Sequence, residues 1–183
     1  MGRCRHRLGF LVVLLAVSIS VMPLLTPVSA EVSADGWAPQ ESGTLLTLYG
    51  VSGTSPSDVL ACGDAGVILR YNGSAWISMN SGVTVPLYGI WCSSTGAAFA
   101  AGNAGTIVSY NGVSWNQMVS GTSNHLNAIW GSAADDVFAV GNVGSILHYD
   151  GISWSPMASG TTSHLRSIWG SSSTDVFTVG NGG

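Results

Sequence analysis

Lysine is absent from this chain, and charged residues make up only 8% of its 183 positions. Helical surfaces draw heavily on Lys, Arg and Glu, so a mainly helical protein is disfavoured from the outset. Positive charge is scarcer still once position is considered. Arg3, Arg5 and Arg7 sit together at the N-terminus, and only Arg70 and Arg166 follow. Beyond residue 30 the balance is 2 − 9 = −7, because all nine acidic residues lie there. Such a surface has no patch to displace counterions from phosphate, which excludes nucleic-acid binding. Docking onto anionic lipid is disfavoured for the same reason.

Cysteine is also scarce, and Cys4 belongs to a segment of its own. MGRCRHR is basic, LGFLVVLLAVSISVMPLL is apolar, and TPVSA ends small-x-small. This order is that of a secretory signal cleaved after Ala30. The apolar run is long enough for an uncleaved anchor, but Pro23 and the Val28-Ser29-Ala30 ending favour cleavage. Residues 1–30 are therefore read as a signal peptide. The mature chain is expected to be secreted or at the cell surface, with no membrane association beyond that segment. Cys62 and Cys92 then meet an oxidising compartment. Both end predicted strands, at opposite rims of neighbouring repeats, too far apart for a disulfide. Free, mostly buried thiols are expected.

What the chain has in quantity is glycine, 25 residues, and self-similarity. Leu48, Leu87, Leu126 and Leu165 open four units at a spacing of 39 residues. Trp91, Trp130 and Trp169 share one register, with Ser52 in the first unit. Gly63, Gly102, Gly141 and Gly180 share another, as do Tyr71, Tyr110 and Tyr149, and Met79, Met118 and Met157. A fixed period of this length marks a repeat architecture. The units span 48–86, 87–125, 126–164 and the shorter 165–183.

Each complete unit reads as four short strands. In the third they are LNAIWG, DVFAVG, SILHY and SWSPM, separated by GSAAD, GNVG and YDGIS. Asn72-Gly73, Asn111-Gly112 and Asp150-Gly151 are hairpin signals, because both residues accept positive φ. Trp76, Trp115 and Trp154 follow them and are placed to cover the turn. Runs such as VFAV are apolar on both faces and need cover on both. The fold expected is all-β, a β-propeller of four-stranded antiparallel blades stacked around an axis. A β-solenoid is the competing architecture, although it normally has shorter coils and no Asn-Gly hairpins. Residues 31–47 contain DGWAPQESGT, which matches the fourth-strand segment SWSPMASGT. An orphan fourth strand is expected there. The count is an incomplete ring: one strand, three blades and half a blade. The N-terminal part of a longer protein is expected. A chain truly ending at residue 183 should expose an apolar blade face and self-associate.

Gly151-Ile152-Ser153-Trp154 and Gly112-Val113-Ser114-Trp115 resemble the second half of the Asp-box, or BNR, repeat of sialidase-type propellers. Gly73-Ser74-Ala75-Trp76 is looser. The acidic residue departs from that pattern, since Asp150 directly precedes the glycine and is Asn in the other two units. The whole unit is similar to repeats of secreted bacterial and archaeal propellers grouped with BNR-like and photosystem II assembly-factor-like proteins. The resemblance covers nearly all of the mature chain and implies a propeller. It implies no activity, because Asp-boxes are structural turns away from the active face.

Sialidase-type hydrolysis needs an arginine cluster, a nucleophilic Tyr with a Glu partner, and an acid. Only Arg70, Arg166, Glu31 and Glu41 remain after cleavage, and the tyrosines repeat in register as structural residues do. No catalytic residue, metal ligand or cofactor site is therefore assigned. His125 and His164 stand before the opening leucines, where Pro86 stands in the first full unit. No Cys, Asp or Glu is close to either in sequence, so loop histidines are expected rather than a metal site. Asp58, Asp136 and Asp175 are expected to cap turn backbone, and His148 to be a tolerated side chain.

Core positions hold across units while the rim changes: Pro86-Leu87-Tyr88, His125-Leu126-Asn127, His164-Leu165-Arg166. Loops on a rigid scaffold are where binding residues sit, although functionless drift would look the same. Tyr88, His125, Asn127, His164 and Arg166 are the candidate binding residues. The expected function is an exported binding or scaffold module for a protein or glycan partner. A glycan-active hydrolase with its residues in further blades, and a purely structural repeat of a large surface protein, are the alternatives.

Overall fold

In the computed structural model the residues described are 37–94 and 96–182. The signal-peptide reading and Glu31 lie outside them. The chain divides into Met1–Leu45 and Leu46–Gly183. In the first unit, residues 37–45 carry no strand, and the local order is a small turn in which Ser42 Oγ donates to Thr44 O at 3.2 Å. Residues 31–36 of the segment expected as an orphan fourth strand lie outside the described residues.

The second unit is all strand and turn. The first blade contains β1 (Leu48–Ser55), β2 (Asp58–Gly63), β3 (Ile68–Tyr71) and β4 (Trp76–Met79). The second contains β5 (Leu87–Cys92), β6 (Ala98–Gly102), β7 (Ile107–Tyr110) and β8 (Trp115–Met118). The third contains β9 (Leu126–Ala133), β10 (Asp136–Gly141), β11 (Ile146–Tyr149) and β12 (Trp154–Met157). β13 (Leu165–Ser172) and β14 (Asp175–Gly180) form a two-stranded sheet. All pairings are antiparallel, and strand order follows the chain. Registers repeat: Val59 faces Tyr71, Ala98 faces Tyr110 and Val137 faces Tyr149. First strands pack in sequence, β1 on β5, β5 on β9, β9 on β13. This is an incomplete β-propeller of three blades and half a fourth.

The core lies between blades, not within them. Leu60, Cys62 and Ile68 of the first blade meet Leu87, Ile90, Ala98, Ala100 and Val108 of the second. Phe99, Ala101 and Ile107 meet Leu126, Ile129, Val137, Ala139 and Leu147 in the same way. Each such aliphatic side chain, fully buried, contributes about 1.5–3 kcal/mol. This explains why the second strands are apolar on both faces. It also explains the ends of the row. Ile90 and Ile129 are 6% and 7% exposed, whereas the matching Val51 is 70% exposed. On β13 and β14, Trp169, Phe177 and Val179 are 60%, 59% and 64% exposed.

A knob crosses each boundary. A Cβ on Gly131 would stand 2.8 Å from the Trp91 ring, and one on Gly170 would stand 2.5 Å from Trp130. The indole of one blade therefore fills the space left by the glycine of the next. The first boundary inverts the sizes. Ser52 stands in the tryptophan column and Cys92 in the glycine column. Ser52 Oγ lies 3.2 Å from Cys92 Sγ and accepts from Cys92 N at 3.2 Å. Two apparent exceptions to the repeat are one compensated pair. Both described cysteines are free. Cys62 is fully buried, and that burial pushes its thiol pKa up to about 12.

The hairpin between third and fourth strands is an Asx turn. Asn72 Oδ1 accepts from Ser74 N and Ala75 N, both at 3.0 Å. Asn111 and Asp150 repeat the pattern. The glycines Gly73, Gly112 and Gly151 have φ of +94°, +92° and +90°. The preceding Asn or Asp does not share a positive φ, so its recurrence reflects the side-chain acceptor. Tyr71, Tyr110 and Tyr149 each donate to the carbonyl of that glycine at 2.9–3.0 Å. Trp115 and Trp154 do more than cover their own turns. Trp154 Nε1 donates to Met118 Sδ of the preceding blade at 3.4 Å, and its ring stands 6.3 Å from Phe99.

Candidate functional site

The rim between second and third strands is built on backbone contact. A Cβ on Gly63, Gly102, Gly141 or Gly180 would meet a carbonyl oxygen at 2.0–2.2 Å. Those oxygens belong to Thr47, Pro86, His125 and His164, the residues just before each first strand. The closeness allows the next residue to bond: Asp64, Asn103, Asn142 and Asn181 N–H donate to the same oxygens at 2.8–2.9 Å. The residue after that is left-handed without being glycine: Ala65 at φ 53°, Ala104 at 50° and Val143 at 57°. For a β-branched valine this conformation is a genuine outlier.

His125 and His164 hold this strained turn. Ala104 N donates to His125 Nδ1 at 3.1 Å, and Val143 N donates to His164 Nδ1 at 3.0 Å. Each histidine thus ties its first strand to the turn of the preceding blade. With Nδ1 accepting, the ring hydrogen is on Nε2.

Beside these clasps runs a second row. Tyr49 Oη donates to Asp64 Oδ1 at 2.8 Å. Asn127 Nδ2 donates to Asn142 Oδ1 at 3.0 Å and to Leu165 O at 2.7 Å. Arg166 Nε donates to Asn181 Oδ1 at 3.3 Å. Rings join the row between blades. Tyr49 and Tyr88 stand edge to face at 5.5 Å, and Tyr88 and His125 at 6.4 Å. Tyr88, His125, Asn127, His164 and Arg166 are therefore brought to one rim. Tyr49 and the acceptors Asp64, Asn142 and Asn181 complete it. Tyr49 was legible as the first-unit counterpart of Tyr88. The hydrogen bond to the Asp64 carboxylate raises the phenol pKa of Tyr49. An open hollow of about 700 Å³ lies nearby, lined by Val143, Gly144, Met157, Ser159 and Thr161 among others.

Asp58 and Asp136, the first residues of β2 and β10, pair with side chains of the neighbouring strand, which corrects their reading as turn caps, while Asp175 accepts from Ser171 Oγ at 2.5 Å. Arg70 Nε donates to Asp58 Oδ1 at 2.7 Å, and Thr54 Oγ1 donates to Asp58 Oδ2 at 3.1 Å. His148 Nε2 lies 2.7 Å from Asp136 Oδ1, with Ser132 Oγ on the other oxygen. His148 also stacks on Phe138 at 4.5 Å, so it is no mere tolerated side chain. In the second blade both partners are replaced, by Ala97 and Ser109. The set Ser132, Asp136, His148 places the acid in the middle. Serine and imidazole do not touch there, so it is not a nucleophile with its base. Among the described residues, no three His, Cys, Asp or Glu side chains are grouped to hold a metal ion.

No protein-family model matches the chain. No curated protein matches it either. Solved structures do. One is YCF48 bound to D1 peptide, with a TM-score of 0.64 and 16% identity over 77% of this chain and 50% of that one. Another is YCF48 from Cyanidioschyzon merolae, with a TM-score of 0.54 and 13% identity over 75% of this chain and 54% of that one. The chain thus spans about half the length of each. At these identities the likeness concerns the fold alone, a β-propeller.

Proposed function

We propose that this chain is an exported propeller module that binds a protein partner through its rim, and that it works as a scaffold rather than an enzyme. The observation that carries this reading is the continuous row Tyr49, Tyr88, His125, Asn127, His164, Arg166. It crosses four blades and mixes aromatic plates, amides and one cation on a chain otherwise poor in charge. Such a row suits an extended peptide, whose backbone needs donors and acceptors and whose side chains need apolar plates. That one propeller of similar fold is bound to a peptide supports the same ligand class. The basic and apolar segment over residues 1–30 supports export.

The test is selection of unstructured 12-residue peptides on the immobilised full chain, repeated on Tyr88→Ala and Arg166→Ala variants. Sequences enriched on the parent and lost on both variants support the reading. Equal enrichment on all three chains, or glycan-array binding without peptide binding, would overturn it.

A further inference from the structure

The rim opposite the histidine clasps carries the loops between first and second strands and the Asx hairpins. At the boundary of the second and third blades these loops enclose a hollow of about 540 Å³. Trp91, Cys92 and Ser93 line it from the second blade, and Ser132, Asp135 and Gly151 from the third, among others. Trp91 is half-buried. Its ring is fixed by Phe99, 6.2 Å away, and by the close approach of Gly131. Gly151 backs Asp135, since a Cβ on that glycine would stand 2.9 Å from the Asp135 Cβ. The indole and the backbone that carries the carboxylate are thus both held by packing.

Asp135 is exposed, and it alone among the described aspartates has no donor. Arg70 serves Asp58, Tyr49 serves Asp64, and Ser132 and His148 serve Asp136. Backbone N–H groups serve Asp150, and Ser171 serves Asp175. The cations among the described residues are committed elsewhere: Arg70 to Asp58, His148 to Asp136, and Arg166 to Asn181 on the other rim. The repeat confines the combination to this boundary. The tryptophan column reads Ser52, Trp91, Trp130, and the acid column one blade further on reads Gly96, Asp135, Thr174. Indole and free carboxylate therefore meet only between the second and third blades. The third blade shows what such a pair recruits. There a planar imidazole, His148, stacks on Phe138 at 4.5 Å and lies 2.7 Å from the Asp136 carboxylate.

We propose that this hollow is a receptor for an arginine side chain of a protein partner, with the guanidinium against the Trp91 indole and donating to the Asp135 carboxylate. A guanidinium suits it better than an ammonium. It is planar and weakly hydrated, and it stacks on an aromatic ring while its N–H groups bond in the plane. The site is on the other rim from the peptide row, so it does not rest on the reading of that row.

The probe is the capped tripeptide acetyl-Gly-Arg-Gly-amide, titrated into the full chain while the indole N–H signals are followed by NMR. A Trp91→Phe variant assigns the Trp91 signal. A saturating shift centred on that signal is expected, with half-saturation on the order of 1 mM from one ring contact and one charge pair. The citrulline peptide, of the same shape without the charge, should bind ~5-fold more weakly or worse. Asp135→Asn should weaken the arginine peptide ~3-fold or more. Asp150→Asn removes the same charge beside Gly151 and should leave binding unchanged. No saturation by about 10 mM, equal binding of the citrulline peptide, or equal losses in Asp135→Asn and Asp150→Asn would each overturn the proposal. So would tighter binding of the lysine peptide, or a shift spread evenly over the other indoles.

Discussion

Trp91→Ser and Gly131→Ser should each destabilise the chain, and together they should cost little more than one alone. Trp91 is half-buried, so its loss costs less than the roughly 3–5 kcal/mol of a core Trp→Ala, about 2 kcal/mol. In the parent, a Cβ at position 131 meets Trp91 ring carbons at 2.8 and 2.9 Å and Asp136 O at 3.0 Å. Overpacking of that kind costs about 1–3 kcal/mol. Independent effects would therefore sum to about 4 kcal/mol. Once the indole is gone, however, the new side chain enters the space it vacated. Ser52 and Cys92 already demonstrate that arrangement at the first boundary. The double variant should lose only about 2 kcal/mol, a coupling of about 2 kcal/mol. Urea unfolding reads this directly: with a slope of about 1–3 kcal/mol/M, each single variant shifts the midpoint by about 1 M. Losses that add to within about 0.5 kcal/mol would refute the knob-and-gap account.

Gly141→Ala should cost about 2–4 kcal/mol, because its Cβ would meet His125 O at 2.0 Å and break the Asn142 bond. Gly121→Ala, left-handed but in open space, should cost about 1–2 kcal/mol by thermal melting. Asp150→Asn should change stability at pH 7 by less than about 0.5 kcal/mol, since Asn72 and Asn111 make the same two bonds. Arg70 holds the Asp58 carboxyl below its usual value, so its contribution is complete above about pH 4 and lost as pH falls through the folded value. Stability curves of the parent and Asp58→Asn should therefore converge in acid; parallel curves would contradict this. Cys62, buried and pushed up to about 12, should resist alkylation at pH 8 until the chain is unfolded.

The blades were legible because every unit solves the same packing problem with the same residues. Leucine opens each first strand, and glycine ends each second strand, whatever the loops do. The candidate rim was legible for a related reason. Tyr88, His125, Asn127, His164 and Arg166 vary inside a register that otherwise holds. Their bonds were not legible. His125 reaches Ala104 across 21 positions and into another blade, and no local pattern records that contact. The Asp58–Arg70 pairing was missed because its partner lies on the neighbouring strand, 12 positions on, and is Arg, Ser or His in turn. The joint change to Ala97 and Ser109 was the available signal.

The knob between blades also has a direction. Trp91 and Trp130 reach toward the later blade, and the later blade supplies the gap. As a chain emerges from its N-terminus, each new blade shields the indole of the one made just before it. Assembly can then proceed vectorially, with one blade's apolar face waiting at any moment rather than several. For a polypeptide that emerges unfolded, that order limits how much sticky surface is open to aggregation.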